Sequence, residues 1–326
     1  MRFGLIGAGG MGRHQAAMLA QITGAELAAV GDVELPPPAR ALAERYGAVL
    51  LDSAEAVLTQ PGIDAVIIAT PTGTHAPLAL TALAAGKHVF VEKPLARSLA
   101  EGEQMIAAAE RAGLKLAVGH VVRYFPDYAA ARDMVLRGEI GTPGIVRVTR
   151  LTGMPRSPWY ADMVASGGVI LDVMIHDFDW LRWTFGPVVR VAARGLMHSD
   201  ATSRDAAMAV LRFANGTIGY AEGSWHYRRF QTSFELSGEG GLIRSSNTFS
   251  QTYDYQVELG DEVRGLWADG LEESPYLAQL RDVAGWFAGG PAPRHSAADG
   301  LEALRIALAA IDSVQTGRTI TLEVPA

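Results

Sequence analysis

Asp172 and His176 stand four residues apart in SGGVILDVMIHDFDWLRWTFG, residues 166–186, a stretch apolar enough to be core. A histidine titrates near neutrality, and a carboxylate one helical turn away can orient it and stabilise its charged form. That pair suits a base that takes the proton of a hydroxyl group. Lys93, in VFVEKPLA, is the third candidate, because an ammonium stabilises a developing alkoxide and lowers the pKa of a neighbouring base. Of the 28 basic residues only Lys87, Lys93 and Lys115 are lysines, which singles out three positions where an ammonium is retained. On a helix of 100° per residue, Leu171, Met174, Ile175, Phe178 and Leu181 form an apolar stripe. Asp172, His176 and Asp179 share a different side, while Asp177 points elsewhere and reads as a structural partner. Gly167 and Gly168, just upstream, would let a cofactor or substrate approach. Plainer readings compete: a helix salt bridge for Asp172–His176, a D-x-x-x-H metal pair, and a surface lysine before a proline turn. No further His/Asp cluster at ligand spacing accompanies the pair, so no metal is expected.

A base needs a hydride acceptor beside it if an alcohol carbon is to be oxidised, and the N-terminus supplies the signal for one. GLIGAGGMGRH places Gly7, Gly9 and Gly12 in GxGxxG spacing, after a strand and at the start of a helix, with Gly10 and Met11 between them. Such a loop turns tightly, lets a pyrophosphate reach the backbone, and presents the positive end of a helix to it. Asp32 follows at the end of ELAAVGD, where a carboxylate accepts from the adenosine ribose hydroxyls and repels a 2′-phosphate. NAD is therefore expected, with NADP the weaker candidate; Arg40 is the one nearby cation that a loop would bring back. ATPTGTHAPLAL, residues 69–80, ends another strand in a turn, so Thr70, Pro71 and Thr72 are expected beside the cofactor. His75 reads equally as a cofactor contact and as packing at a helix start.

These groups must be positioned by something larger. Through residue 119 short apolar runs (RFGLIG, ELAAVGD, DAVIIAT, HVFVE, LKLAVG) alternate with helical patterns at 11–22, 38–46, 74–85 and 98–112, which predicts a doubly wound parallel sheet. After residue 140 alternating segments and turn signals, with NG at 215–216, predict antiparallel hairpins. Helices are expected near 275–288 and 299–315. The expected fold is α/β, with a Rossmann domain over 1–119 and an α+β domain with an open, mostly antiparallel sheet over 120–326. The last helix is a candidate to pack back on the first domain. Between the domains' patterns, GHVVRYFPDY offers His120, Arg123 and Tyr124 as substrate-side groups. MPRSPWYADM offers Arg156, Trp159 and Tyr160 on a loop, and His226 reads as a sheet-face residue.

Composition bounds the partners. A chain of 326 residues exceeds one ordinary core, and 49% hydrophobic with 19% charged residues is a globular balance. No cysteine is present, which excludes disulfides and thiolate chemistry. A net charge of −7 without a basic block disfavours nucleic acid and anionic membrane. No apolar run reaches the roughly 18 residues of a membrane span, and the N-terminus enters a strand at once without a signal pattern. A cytoplasmic protein is expected.

GLIGAGGMG, ATPTGTHAPLAL, VFVEKPLA, SGGVILDVMIHDFDW and the terminal DGLEALRIALAAIDSVQTGR together resemble the glucose–fructose oxidoreductase, inositol dehydrogenase and rhizopine-catabolism (Gfo/Idh/MocA) family. The resemblance spans essentially the whole chain. It implies an NAD(P)-dependent oxidoreductase acting on a hydroxyl or carbonyl carbon of a sugar, inositol or related cyclic polyol. It further implies that Lys93 donates to the reacting oxygen, that Pro94 follows a cis bond, and that His176 is the acid/base with Asp172 beside it. Glu92 and Lys93 are expected among the cofactor contacts, and homodimers or homotetramers are implied. Three alternatives stand beside it: a tightly held cofactor with sugar–sugar transhydrogenation, a hydride-initiated elimination, and a dinucleotide-binding protein without turnover.

Overall fold

Apolar runs such as AVII and HVFV have no polar side, so they are stable only where helices cover both faces of their sheet. In the computed structural model, which describes residues 1–33, 35–198, 204–248, 254–259, 262–267 and 273–323, both runs are central strands. The first sheet contains β1 (Arg2–Ile6), β2 (Glu26–Gly31), β3 (Val49–Leu51), β4 (Ala65–Ile68), β5 (His88–Val91) and β6 (Leu116–Val118). Their order is β3-β2-β1-β4-β5-β6, with every pairing parallel. Helices α1 (Gly10–Leu19), α2 (Pro37–Tyr46), α3 (Ala54–Thr59), α4 (His75–Ala84) and α5 (Leu99–Ala112) connect them. The order reverses at β1 and β4, the position at which doubly wound sheets bind ligands outside their strand ends. Strand β3 and helix α3 were not expected; a three-residue strand is too short to display a period.

The chain divides into two compact units, Met1–Tyr124 with Glu273–Leu301, and Phe125–Glu272 with Glu302–Ala326. The boundary thus lies after Tyr124 and not after residue 119, and a later segment returns to the first unit. That segment contains α9 (Pro275–Phe287), whose Leu280, Val283, Ala284 and Phe287 join Phe3, Leu5 and Phe90 in one buried cluster. The helix expected to pack back was the last one. Its start does so, since the residues of α10 (Ala297–Thr316) through Leu301 belong to the first unit, and α9 lies there as well.

Among the described residues the second unit has nine strands: β7 (Pro143–Gly153), β8 (Val188–Leu196), β9 (Ala206–Phe213), β10 (Ile218–Ser224), β11 (His226–Gly238), β12 (Gly241–Ser246), β13 (Asp254–Leu259), β14 (Glu262–Trp267) and β15 (Ile320–Thr321). The order is β14-β13-β12-β11-β7-β10-β9-β8-β15, antiparallel throughout except for the parallel pair of β7 and β10. The NG turn does join a hairpin, β9 to β10. Along β9 Ala207, Ala209, Leu211 and Phe213 are buried while Met208, Val210 and Arg212 are exposed, so one face of the sheet carries the core. Helices α6 (Pro126–Leu136), α7 (Met163–Ser166) and α8 (Ile175–Phe185) belong to this unit. Trp180 of α8 donates its indole N–H to Tyr128 O at 3.0 Å, and its ring packs on those of Tyr128 and Phe234.

Into this apolar layer the fold inserts an ion pair. Arg150 of β7 bonds the Asp177 carboxylate of α8 through Nε and Nη2, the shortest contact being 2.7 Å, with side chains 7% and 1% exposed. Removing one partner strands the other in the core, which typically costs about 3–5 kcal/mol, whereas replacing both with apolar residues is often neutral. Asp177→Ala is accordingly expected to lose stability of that order in urea unfolding. Arg150→Met combined with Asp177→Leu should lose clearly less; equal losses would show that the pair is not coupled.

Candidate functional site

In the first unit the glycine loop has the geometry that a dinucleotide requires. Gly7 has φ +92°, and a Cβ there would lie 2.8 Å from Ala69 O; a Cβ on Gly12 would lie 1.9 Å from Gly7 O. Both positions are therefore closed to any side chain by the backbone itself. A Cβ on Gly9 or Gly10 would meet nothing within 4 Å, and both residues are exposed. The space over the loop is open, and α1 begins there without a side-chain cap and without an acidic residue in its first turn. Uncapped N–H groups and the positive helix end fit a diphosphate. Met11, in the same turn, is half-buried. Asp32 follows β2, half-buried, and its Oδ2 accepts from Ala8 N–H at 2.7 Å. One carboxylate oxygen thus braces the glycine loop. Arg40 is exposed, its Nε donating to Leu35 O at 3.2 Å.

The strand ends beyond β4 and β5 carry the other expected groups. Thr70 is half-buried and Pro71 exposed, but Thr72 is 3% exposed, inside the turn. His75 is 1% exposed, with Nδ1 2.8 Å from Pro94 O and Nε2 3.0 Å from Thr70 O. Burial pushes its pKa down and Lys93 adds to that, against the two carbonyl bonds. His75 therefore holds two turns together from within, which favours the packing reading over direct cofactor contact. The Lys93–Pro94 bond is cis. From Val89 to Ala96 Lys93 is the one residue that is not buried. The other two lysines serve carbonyls, Lys87 donating to Ile63 O at 2.9 Å and Lys115 to Trp286 O. Glu92 is 6% exposed and lies within the protein.

Arg123 and Tyr124 do not present themselves to a substrate. Arg123 is 1% exposed, with Nη1 donating to Arg294 O at 2.9 Å and to Asp299 at 3.2 Å. Burial alone would raise the Asp299 carboxyl, but the Arg123 guanidinium and the Ser296 N–H outweigh it and hold it at about 2. Tyr124 is 5% exposed, its hydroxyl accepting from Arg294 N–H and its ring lying under that guanidinium. Both residues tie the returning segment to the first unit, so they are left out of the site. His120 is buried as well.

In the second unit the segment before α8 departs from the regular helix assumed above. Ile170–Met174 is a π-helical turn, which runs straight into α8. Such a turn is wider than an α turn, so a wheel of 100° per residue does not carry across from Asp172 to His176. What joins the two is exposure: from Ser166 to Leu181 only Asp172 and His176 are not buried. Asp179, expected on the same side, is 1% exposed and lies in the core, and Asp177 is the partner of Arg150. Gly223 of β10 makes room for the wide turn, since a Cβ there would lie 2.4 Å from Met174 Cγ. Gly167 and Gly168 have φ +74° and +63°, and a Cβ on Gly168 would lie 2.4 Å from Asp205 Oδ2. Asp205, 2% exposed, approaches this glycine; its carboxylate accepts from Val169 N–H and His198 N–H.

Trp159 and Tyr160 lie on a short turn, half-buried, with ring centroids 3.9 Å apart at 29°. Tyr160 meets the buried Trp225 edge-on at 6.1 Å. Arg156 on the same loop is exposed, as is His226 at the start of β11. Among the described residues no group of three or more His, Asp or Glu is placed to hold a metal ion, and no helix is long and apolar enough to cross a membrane.

Three residues with structural work escaped the sequence: Gln15, Gly119 and Asp205. Gln15 had a signal, since Gly12, Gln15, Ala16 and Leu19 are the buried stripe of α1 and it is the polar exception there.

Residues 1–120 match the model of the Gfo/Idh/MocA oxidoreductase family with its NAD-binding Rossmann fold, and residues 128–244 match a C-terminal domain of the same family. The chain is 32% identical to a myo-inositol 2-dehydrogenase of Thermotoga maritima, over 99% of each chain. It is 29% identical to a 1,5-anhydro-D-fructose reductase of Ensifer adhaerens, over 99% of this chain and 98% of that one. Among solved structures, GenD2 from gentamicin A biosynthesis in complex with NAD superposes with a TM-score of 0.87. It shares 27% identity over 99% of this chain and 97% of that one.

The position of Asp32 generates a prediction about cofactor choice. The unmodified protein should prefer NAD over NADP by at least about tenfold in kcat/KM, about 1.4 kcal/mol, and Asp32→Ser should narrow the gap. Equal use of both by the unmodified protein would remove Asp32 from this role.

Proposed function

The chain belongs to the Gfo/Idh/MocA family of NAD-binding oxidoreductases, and from that premise we propose that it oxidises a ring hydroxyl of an inositol or related cyclic polyol, with Lys93, Asp172 and His176 as the acting residues. The observation that carries this is the exposure pattern: in two long buried segments these three alone are not buried. A core segment that leaves one ammonium, one carboxylate and one imidazole open does so at a cost in apolar burial. Their chemistry matches the reaction. Bound NAD supplies the hydride acceptor. His176 takes the hydroxyl proton, Asp172 orients the imidazole and stabilises its charged form, and Lys93 stabilises the negative charge growing on the oxygen. Gly7, Gly9, Gly10, Met11, Gly12, Asp32, Thr70 and Pro71 are proposed to line the dinucleotide. Trp159 and Tyr160 offer aromatic faces to the apolar side of a polyol ring. The inositol class rests on the relative of Thermotoga maritima, which is named for myo-inositol.

His176→Ala should lower kcat by about 10²–10⁴, the usual range for a general base, with NAD affinity nearly unchanged. Lys93→Ala should act comparably, and Lys93→Arg should not restore the rate, because a planar guanidinium does not replace a compact ammonium. NAD reduction with myo-inositol and its epimers reads both. Near-normal turnover of His176→Ala together with a fall in melting temperature would make Asp172–His176 a helix salt bridge and overturn the reading.

We further propose that the protein is a dimer or tetramer assembled through the outer face of the second unit's sheet. Ile145, Met208, Val210 and Ile218 lie on adjacent strands and are 39–49% exposed, with Ile145 directly opposite Ile218. Such an apolar patch on an open sheet calls for a cover. Light scattering at micromolar concentration should show an oligomer, and Val210→Glu should weaken it; a monomeric unmodified protein would contradict the proposal.

A further inference from the structure

Glu92 immediately precedes Lys93, yet its carboxyl points into the first unit and is 6% exposed. Its Oε1 accepts from Gln15 Nε2 at 2.6 Å, and its Oε2 accepts from the backbone N–H of Lys93 at 3.3 Å. Gln15 is 1% exposed and lies on the inner stripe of α1, the helix that begins at the glycine loop. The third wall is Gly119, just beyond β6, whose N–H bonds Val91 O at 2.9 Å. A Cβ on Gly119 would lie 2.6 Å from Glu92 Oε2 and 3.1 Å from its Cδ. The φ of Gly119 is not in the left-handed region, so the backbone there does not demand glycine. Space for the carboxyl does.

A buried carboxyl is costly unless its acceptors are filled. Burial raises the pKa of Glu92, and the Gln15 bond, the Lys93 charge and the Lys93 N–H oppose that rise. An apolar residue would fill the same volume without this conflict. The carboxyl does what an apolar residue cannot: it bonds at once to α1 and to the peptide of Lys93. We propose that Gln15, Glu92 and Gly119 form a positioning unit that fixes the Lys93 peptide to α1, so that the Lys93 ammonium responds to occupation of the dinucleotide loop at the start of that helix. The inference rests on the reading that Lys93 acts in catalysis. Its direct content, however, is a coupling between α1 and Lys93 that can be observed without turnover.

The scarcity of lysine makes that observation possible. Reductive ¹³C-methylation labels Lys87, Lys93, Lys115 and the N-terminus, and two of the lysines are internal controls bonded to Ile63 O and Trp286 O. In the unmodified protein, adding NAD should move the Lys93 signal and leave those of Lys87 and Lys115 in place. In Gln15→Met, which keeps the side-chain volume but removes the amide, the NAD-induced shift of Lys93 should fall by more than half while NAD affinity changes less than about threefold. Gly119→Ala should give the same loss by displacing the carboxyl. Adding Glu92→Asp, one methylene shorter, should recover part of the response in the double variant, a non-additivity that a merely weakened fold would not produce. NAD reduction with myo-inositol should fall about tenfold in kcat for Gln15→Met, with KM for NAD within about threefold.

An unchanged Lys93 response in Gln15→Met overturns the coupling, whatever Gly119→Ala does. So does a loss of NAD affinity that accounts for the whole change in the Lys93 signal. If Lys93→Ala retains turnover, the catalytic reading of Lys93 fails while the spectra still decide the coupling. If Lys93→Ala is inactive and Gln15→Met keeps full kcat and a full response, the catalytic reading stands and the positioning unit is wrong.

Discussion

The Arg150–Asp177 pair is the interaction on which the presentation of His176 depends. Taking two charges out of water costs several kcal/mol for each ion, and only good geometry with filled hydrogen-bonding positions offsets it. Here Arg150 meets both carboxylate oxygens, reaches the Tyr128 hydroxyl with Nη2 at 3.2 Å, and is flanked by the rings of Tyr128 and Phe230. Burial still pushes the Asp177 carboxyl upward against the guanidinium. The bond is therefore a poor means of adding stability, and a good means of fixing one arrangement. It ties β7 to α8 at the residue next to His176, in a core whose apolar contacts alone would tolerate a helix turned by some degrees.

The wide turn before α8 makes that anchor necessary. A π turn is wider than an α turn, so the rotation of α8 is not set by carrying one regular helix through LDVMIH. Gly223 gives Met174 space on one side, and Asp205 holds Val169 N–H, next to the left-handed Gly168, on the other. The segment is thus pinned at its start by Asp205 and just beyond its end by Arg150. Between those two points lie Asp172 and His176, half-open in a buried run.

How much of this was legible in the sequence follows from the range of the forces involved. The glycine loop was readable because its constraints are local: Gly7 needs a left-handed φ, and Gly12 touches the carbonyl of a residue five positions away. The parallel sheet was readable because buried strands leave continuous apolar runs. Asp179 was misplaced because sharing a side of α8 with His176 does not fix burial, and one turn further along the helix that side lies in the core. Arg123 and Tyr124 were misplaced for a different reason. Their position after β6 does belong to the ligand side of such a sheet, but the chain returns some 170 residues later with Arg294 and Asp299 and encloses them. That contact has no local trace. Asp177 was separable from His176 by direction alone, though its partner in β7 was not.

The two units have a device in common. Two of the three proposed acting residues have as chain neighbour a buried carboxyl held by a different element: Glu92 by Gln15 of α1 before Lys93, and Asp177 by Arg150 of β7 after His176. Adjacent residues point in different directions in a strand or a helix. Anchoring the neighbour therefore fixes the backbone under the reactive group. The two anchors differ in charge. Asp177 faces a guanidinium that cannot lose its proton in this range, and that charge opposes the rise that burial imposes on the carboxyl. Glu92 has an amide and a peptide N–H as direct partners, so its hold depends on its own ionisation and on the charge of Lys93 beside it. Of the two, the anchor in the dinucleotide-binding unit is the one built to change with what is bound there.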